Sequence, residues 1–427
     1  MLSRRAAWQR IWDNRSSTIE TQMAYPAEIT LRPGAPDFLD LPWDLPLSEW
    51  VGRCSRLVEL PRGLSRHIVQ FVNYSDELYA LKEMRPGVAE QEFDLLLMAI
   101  EAHLPVVLPI GHAITNTRND QHSVLITHYL ENSLPYRLLF MSQGFARHRM
   151  HLLDAIAGLL VQLHLSGFFW GDCSLSNTLF RRDAGMLQAY LVDAETSEFH
   201  EGYFSPTLRF HDLQIMAENL DVELKDLQNS GLLTDMSVPA AEAGEYIQQR
   251  YQQLWEEITR EDIIGANEHY RIQERIRILN DMGFSVGNVE LAALENGSRL
   301  RLRVFVTDRS FHRDQLYNLS GLDAEEMQAR KMMNEIQELR ATLSQNSPSS
   351  TPLSVAAYHW LENYFNPVIE RLRSLIQNDM TPAELYCEVL EHKWFLSERA
   401  QRDVGHQFAV EDYLMRFGDF QAFRSDN

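Results

Sequence analysis

Residues 168–198 read FFWGDCSLSNTLFRRDAGMLQAYLVDAETSE. Asp172 stands five residues before Asn177, and a second aspartate, Asp193, follows the apolar run Tyr190-Leu191-Val192. The short spacing fits Asp172 and Asn177 on one tight loop, and a β-hairpin after them would return Asp193 towards it. A D-x4-N spacing is common by chance, so the upstream sequence decides what it means.

Upstream, Leu78-Tyr79-Ala80-Leu81-Lys82 alternates as a strand and ends in a lysine. Ten residues later Glu92 opens the helix-like run Phe93 to Ile100. Leu95 and Leu96, at i+3 and i+4, bury that helix while Glu92 turns towards Lys82; Glu90 and Glu101 are read as solvated. Val106 to Gly111 and Ser123 to Thr127 form two more strands, and His128-Tyr129-Leu130 follows the second. Lys82, Glu92, Asp172, Asn177 and Asp193 thus occur in an order and spacing that resemble the protein-kinase-like superfamily. More closely, the chain resembles a bacterial family known as lipopolysaccharide kinase (Kdo/heptose kinase type) fused to a C-terminal domain of unknown function. The likeness covers most of the chain from Leu39 onward. It includes LDLPWDLPL at 39–47, YRIQERIRILND at 270–281 and EHKWFLSER at 391–399.

The resemblance implies an α+β, bilobal protein-kinase-like fold, with a five-stranded N-lobe carrying one helix and a helical C-lobe. An α-rich C-terminal domain with a β-hairpin is expected after it. ATP and Mg²⁺ are the implied cofactors. Lys82 would hold the α/β-phosphates and Glu92 would position it, while Asp172 orients or deprotonates the acceptor hydroxyl. Asn177 and Asp193, with Glu195, would bind metal. His128 and Leu130 fall where adenine is received on backbone groups, and Gly63 and Arg66 lie in the hairpin that would cover phosphates.

Departures from a protein kinase narrow the reading. Trp170 replaces the usual histidine and Ser174 the usual lysine, so Asp172-Cys173-Ser174 resembles RIO-type atypical kinases. Asp193-Ala194-Glu195 resembles the D-x-E of choline and aminoglycoside kinases, no A-P-E element follows, and the phosphate-covering hairpin has one glycine. The expectation is a phosphotransferase acting on a hydroxyl acceptor, with a sugar or lipopolysaccharide-like glycan implied by the family. A nucleotide-binding pseudokinase or scaffold, and a kinase-fold nucleotidyltransferase, are the alternatives.

Plainer readings exist for each residue. Asp172 is a turn aspartate, Asn177 a cap, and Lys82 an edge-strand gatekeeper. Glu195 either touches a second metal or salt-bridges an arginine. Asp212 either braces the catalytic loop or caps a helix. His312-Arg313-Asp314 spells a kinase tripeptide but has Leu319 where asparagine is needed. His148, His151 and His164 lack a completing ligand nearby and read as surface or core histidines.

Composition agrees. The chain has 427 residues, enough for two or three domains. A formal net charge of -21 argues against nucleic acid or an anionic membrane as partner. Cys54, Cys173 and Cys387 are few and widely spaced, which fits a reduced cytoplasm. No signal peptide or membrane-spanning run is found, so a cytoplasmic location is expected. The expected boundaries are an extension at 1–52, an N-lobe at 53–130, a C-lobe at 131–228 and an α-rich domain at 229–427. In the last, Asn296-Gly297 marks a hairpin. Arg299, Arg301 and Arg303 line one face of its second strand, as a solvated face or as a docking site for an acidic protein partner.

Overall fold

The computed structural model describes residues 26–60, 66–116, 121–141, 149–201, 204–231, 240–265, 275, 278–279, 286–293, 299–306, 311–345, 351–376 and 380–422. The chain forms two compact units, Met1–Phe93 with Pro109–Tyr129, and Asp94–Leu108 with Leu130–Asn427.

The first unit contains β1 (Glu28–Leu31), β2 (Leu57–Val58), β3 (Val69–Tyr74) and β4 (Glu77–Met84). Helix α1 (Val88–Glu101) starts there, and β5 (Pro109–Asn116) and β6 (Gln121–His128) complete it. The strands form one antiparallel sheet in the order β1-β5-β6-β4-β3-β2. Alternating burial along β3 and β4 reflects the period-two side-chain pattern of the sequence. Ser75 and Asp76, both at positive φ, make the tight turn between these strands, as a twisted two-residue hairpin requires. Strands β2 to β6 are the five expected, except that the fourth, read at 106–111, lies at Pro109–Asn116. The sixth, β1, comes from the N-terminal extension and pairs with β5 from Glu28↔Ile114 to Leu31↔Gly111. Its addition satisfies backbone groups that an open edge would leave unpaired.

The proline-rich part of that extension packs on the sheet. Phe38, Leu41, Trp43, Leu47 and Trp50 share one apolar cluster with Val72, Tyr79, Leu81 and Val124. Both indole N–H groups are satisfied, Trp43 Nε1 by Phe38 O at 2.7 Å and Trp50 Nε1 by Leu45 O at 3.1 Å. Burial of each large side chain stabilises by roughly 1.5–3 kcal/mol, so this segment is part of the lobe's core.

The second unit begins with β7 (Leu134–Pro135), α2 (Tyr136–Met141), α3 (Arg149–Leu165), β8 (Phe168–Phe169), β9 (Thr178–Asp183), β10 (Met186–Leu191) and β11 (Glu198–Phe199). Helices α4 (Pro206–Asn229) and α5 (Ala240–Thr259) follow. Helix α3 is buried almost all round from Ile156 to His164, because β10 and α5 both pack on it. Strands β12 (Asp262–Gly265), β13 (Val286–Ala293) and β14 (Arg299–Val306) form a sheet in the order β12-β14-β13. The antiparallel β13–β14 pair is the expected hairpin; its Asn296-Gly297 turn and most of the 270–281 stretch lie outside the described residues.

Helices α6 (Phe311–Ser320), α7 (Glu326–Gln345), α8 (Leu353–Trp360), α9 (Asn366–Leu372), α10 (Pro382–Ala400) and α11 (His406–Ala422) complete the unit. Their core is built on Met332, Met333, Ile336, Trp360, Phe365 and Tyr386, and it also contains Ala184 from the turn between β9 and β10.

Candidate active site

Lys82 lies on β4, paired on one side with Val69 and on the other with Leu125. It is therefore on an interior strand, and the edge-strand reading does not hold. Its Nζ is 3.0 Å from Glu92 Oε1 and 2.8 Å from Oε2, with side-chain exposures of 13% for Lys82 and 0% for Glu92. Glu90 and Glu101 are exposed on the same helix, while Leu95 and Leu96 bury it, so helical spacing singles out Glu92. An ion pair this buried fixes the ammonium at one place on the sheet.

The Asp172 loop is in the second unit and is held mainly through its backbone. Asp212, fully buried inside α4, accepts hydrogen bonds from Trp170 N at 2.8 Å and Gly171 N at 2.9 Å. Ser205 caps α4, so Asp212 is a brace and not a helix cap. One turn of polar residues further along α4 continues the grip. Asn219 Nδ2 donates to Cys173 O at 2.8 Å, and Glu223 accepts from Leu175 N and Ser176 N, each at 2.9 Å. Asp212, Asn219 and Glu223 are spaced by seven and then four residues, one helix face. That spacing was readable in the sequence, but Asn219 and Glu223 carry no motif and were missed. Burial raises the Glu223 carboxyl above its ordinary range.

Within the loop, Asn177 Nδ2 donates to Asp172 O at 3.0 Å and to Asp172 Oδ2 at 3.2 Å. Gly171 has φ +81° and a side chain there would meet Thr196 O at 2.6 Å, which explains the glycine after Trp170. Trp170 is fully buried and its Nε1 donates to Asp193 O at 3.3 Å. The tryptophan that replaces histidine thus ties the Asp172 loop to the segment bearing Asp193. Val192 N donates to Asn177 O at 3.1 Å, which brings the two ends of the β9–β10 hairpin together. Glu195 N donates to Asp193 Oδ1 at 3.1 Å, and both side chains are half-buried.

Other expected residues are placed as follows. His128 ends β6, its Nδ1 donating to Tyr129 O at 3.0 Å, and Leu130 opens the second unit with its carbonyl accepting from Ser133 Oγ at 2.6 Å. Arg66 is exposed just before β3, and Gly63 lies outside the described residues. His164 is a core residue: Nδ1 meets Tyr251 Oη at 2.8 Å and Nε2 meets Asp212 Oδ2 at 3.1 Å. Burial depresses its pKa, so the neutral ring donates to Asp212 and accepts from Tyr251. His312 and Arg313 start α6, where Glu326 accepts from both backbone N–H groups. Cys173 is fully buried, and burial followed by the Asp212 charge pushes its thiol well up, so it is a packed, unreactive residue.

Residues 73–229 match the lipopolysaccharide kinase (Kdo/WaaP) family. The chain carries a Kdo/WaaP kinase family domain. This domain runs from the end of β3 to the end of α4, and so includes Lys82, Glu92, Asp172, Asn177, Asp193, Asp212 and Glu223. Residues 253–417, from α5 to α11, match a domain of unknown function (DUF4032). Among solved structures, "WaaP in complex with acyl carrier protein" is similar, at 15% identity over 60% of this chain and 99% of that chain with a TM-score of 0.35. No curated protein matches. The match of residues 73–229 to this family supports an ATP-dependent kinase. Among the described residues, no helix is long and apolar enough to cross a membrane.

Proposed function

We propose that the protein transfers the γ-phosphate of ATP to a hydroxyl acceptor with the help of Mg²⁺. The observation that carries this reading is the contact of Asn177 Nδ2 with Asp172 Oδ2 at 3.2 Å. It couples an acceptor-side carboxylate to a metal-side amide on one loop. With its nitrogen turned to Asp172, Asn177 keeps Oδ1 as a donor to a cation. Asp193, with Glu195, adds carboxylate oxygens, so the donor set is the hard-oxygen type that Mg²⁺ requires. When bound, Mg²⁺ would neutralise charge on the phosphates. Lys82, held by Glu92, would secure the α/β-phosphates, and Arg66 with the segment around Gly63 would cover them. Backbone groups at His128 and Leu130 would receive adenine. Asp172 would orient the acceptor hydroxyl and take its proton, and catalysis would rest on positioning and charge neutralisation.

The family name points to a sugar hydroxyl on a lipopolysaccharide-like glycan as acceptor, met from the cytoplasmic side. The test is thermal stabilisation by ATP with and without Mg²⁺, in wild type and Asp193→Ala. ATP at 100 times its Kd adds about 2.7 kcal/mol. Mg²⁺-dependent stabilisation that disappears in Asp193→Ala supports the reading, and no stabilisation of wild type under any condition refutes it.

A further inference from the structure

The β9–β10 hairpin links Asn177 to Asp193, and its far end is held by the C-terminal helices. Glu384 of α10, 2% exposed, accepts from Ala184 N at 2.6 Å and from Gly185 N at 2.9 Å. Those two residues form the turn, at φ 56° and 85°. Alanine rarely adopts positive φ. Here its methyl is packed into the core of the C-terminal helices. Asp183, the last residue of β9, accepts from Met327 N at 3.2 Å and Gln328 N at 2.9 Å, so it satisfies two backbone donors in the first turn of α7. Gln328 Nε2 joins the two sets of contacts, reaching Arg182 O at 3.0 Å and Glu384 Oε2 at 2.7 Å.

The same helices reach the middle of the hairpin. Glu325, just before α7, binds Arg181 Nη1 at 2.7 Å and accepts from Tyr190 Oη at 2.6 Å. Strands β9 and β10 pair from Asp183↔Met186 to Thr178↔Leu191 without a register shift. Whatever fixes the turn and the middle therefore fixes the open end, where Val192 N meets Asn177 O. Buried charges are a poor way to glue two segments, because desolvation offsets most of the attraction. Their directional contacts do enforce one register.

We propose that the C-terminal helical segment is a positioning element for phosphotransfer: through Glu384, Gln328 and Glu325 it sets the spacing of Asn177 and Asp193. This rests on the reading that these two residues hold the cation. Glu384 and Glu325 are positioning residues, since they act through the hairpin.

The test uses the full chain with Glu384→Gln, which keeps size and removes charge, and Tyr190→Phe, which removes one hydroxyl. Two quantities are read: the Mg²⁺ concentration giving half of the ATP-induced stabilisation, and hydrogen exchange in a peptide containing Val192. Outer-shell partners of a metal site are typically worth 10–100-fold in metal affinity. Glu384→Gln should therefore raise the Mg²⁺ requirement about tenfold, leave ATP binding in EDTA unchanged and speed exchange at Val192. Tyr190→Phe should shift both in the same direction and carries the test if Glu384→Gln does not fold. Faster exchange confined to Ala184 and Gly185, with the Mg²⁺ requirement and Val192 as in wild type, overturns the inference. If wild type shows no Mg²⁺-dependent stabilisation, the phosphotransfer reading fails by itself, and exchange at Val192 alone decides whether the segment positions the hairpin.

Discussion

Replacing Asp212 by asparagine tests whether α4 holds the Asp172 loop. The carboxylate accepts from Trp170 N and His164 Nε2 on Oδ2 and from Gly171 N on Oδ1, with no exposed surface. An asparagine has one acceptor oxygen, so in either orientation its NH₂ faces at least one of these donors. Hydrogen bonds to a charged group contribute about 1.5–3 kcal/mol each, and a buried donor left unsatisfied costs about 1–3 kcal/mol. Losing one such contact and weakening another gives about 2–4 kcal/mol. Because 1.36 kcal/mol is tenfold, the amides of Trp170 and Gly171 should exchange about 30- to 1000-fold faster in Asp212→Asn. Hydrogen exchange is the assay of choice, since a chain with two compact units need not unfold in one step. If the α1 helix keeps its protection and the loop amides change less than threefold, Asp212 is not the brace and the argument fails.

Lys82→Met should cost about 3–5 kcal/mol, the expense of breaking one side of a buried ion pair. Adding Glu92→Leu should restore most of that stability in urea denaturation without restoring ATP-induced stabilisation; a single variant as stable as wild type would contradict the burial of the pair. A pH effect is expected from Asp183, whose carboxyl is pushed up to about 7 by burial and then by the charge of Glu325. Its folded pKa exceeds the ordinary 3.8, so the stability it contributes is full below pH 4 and lost as pH rises through 7. Between pH 5.5 and pH 8 that loss is about 2 kcal/mol, and urea midpoints of Asp183→Asn should lack it. An identical pH dependence in both proteins would exclude Asp183 as its source.

The parts of the site that the sequence reveals are those set by local geometry. Lys82 and Glu92 are readable because strand alternation and the Leu95/Leu96 spacing each fix a face. Asp172, Asn177 and Asp193 are readable because one loop and one hairpin separate them. The choice of Glu92 over Glu90 required only the helical period. Asn219 and Glu223 were hidden for a different reason: they bind backbone atoms, and backbone atoms leave no mark in a sequence.

The PDFLDLPWDLPLSEW segment and strand β1 show a similar division. Pro42, Pro46 and the apolar residues predict that 36–50 is extended and packed on something. It does pack, but as turns and a short 3-10 helix at Leu47–Glu49, where the N–H of Trp50 returns to Leu47 O. Its burial against β3, β4 and β6 depends on which sheet face is left open. The sequence by itself determined the order of chemical groups, the lobe with its five strands and one helix, and the family resemblance. Each of these depends on residues close along the chain, whose periodicity and turn chemistry suffice. Only the tertiary structure decided that Asp212 braces the loop, that α3 is buried almost all round, and that Glu384, Gln328 and Glu325 hold the hairpin. The loop contacts of Asp212 span 41–42 positions, α3 meets α5 through pairs such as His164–Tyr251 and Asp154–Tyr246 that are 87 and 92 apart, and the hairpin contacts span 135–200. Over such separations no local propensity acts, and packing alone selects the partner.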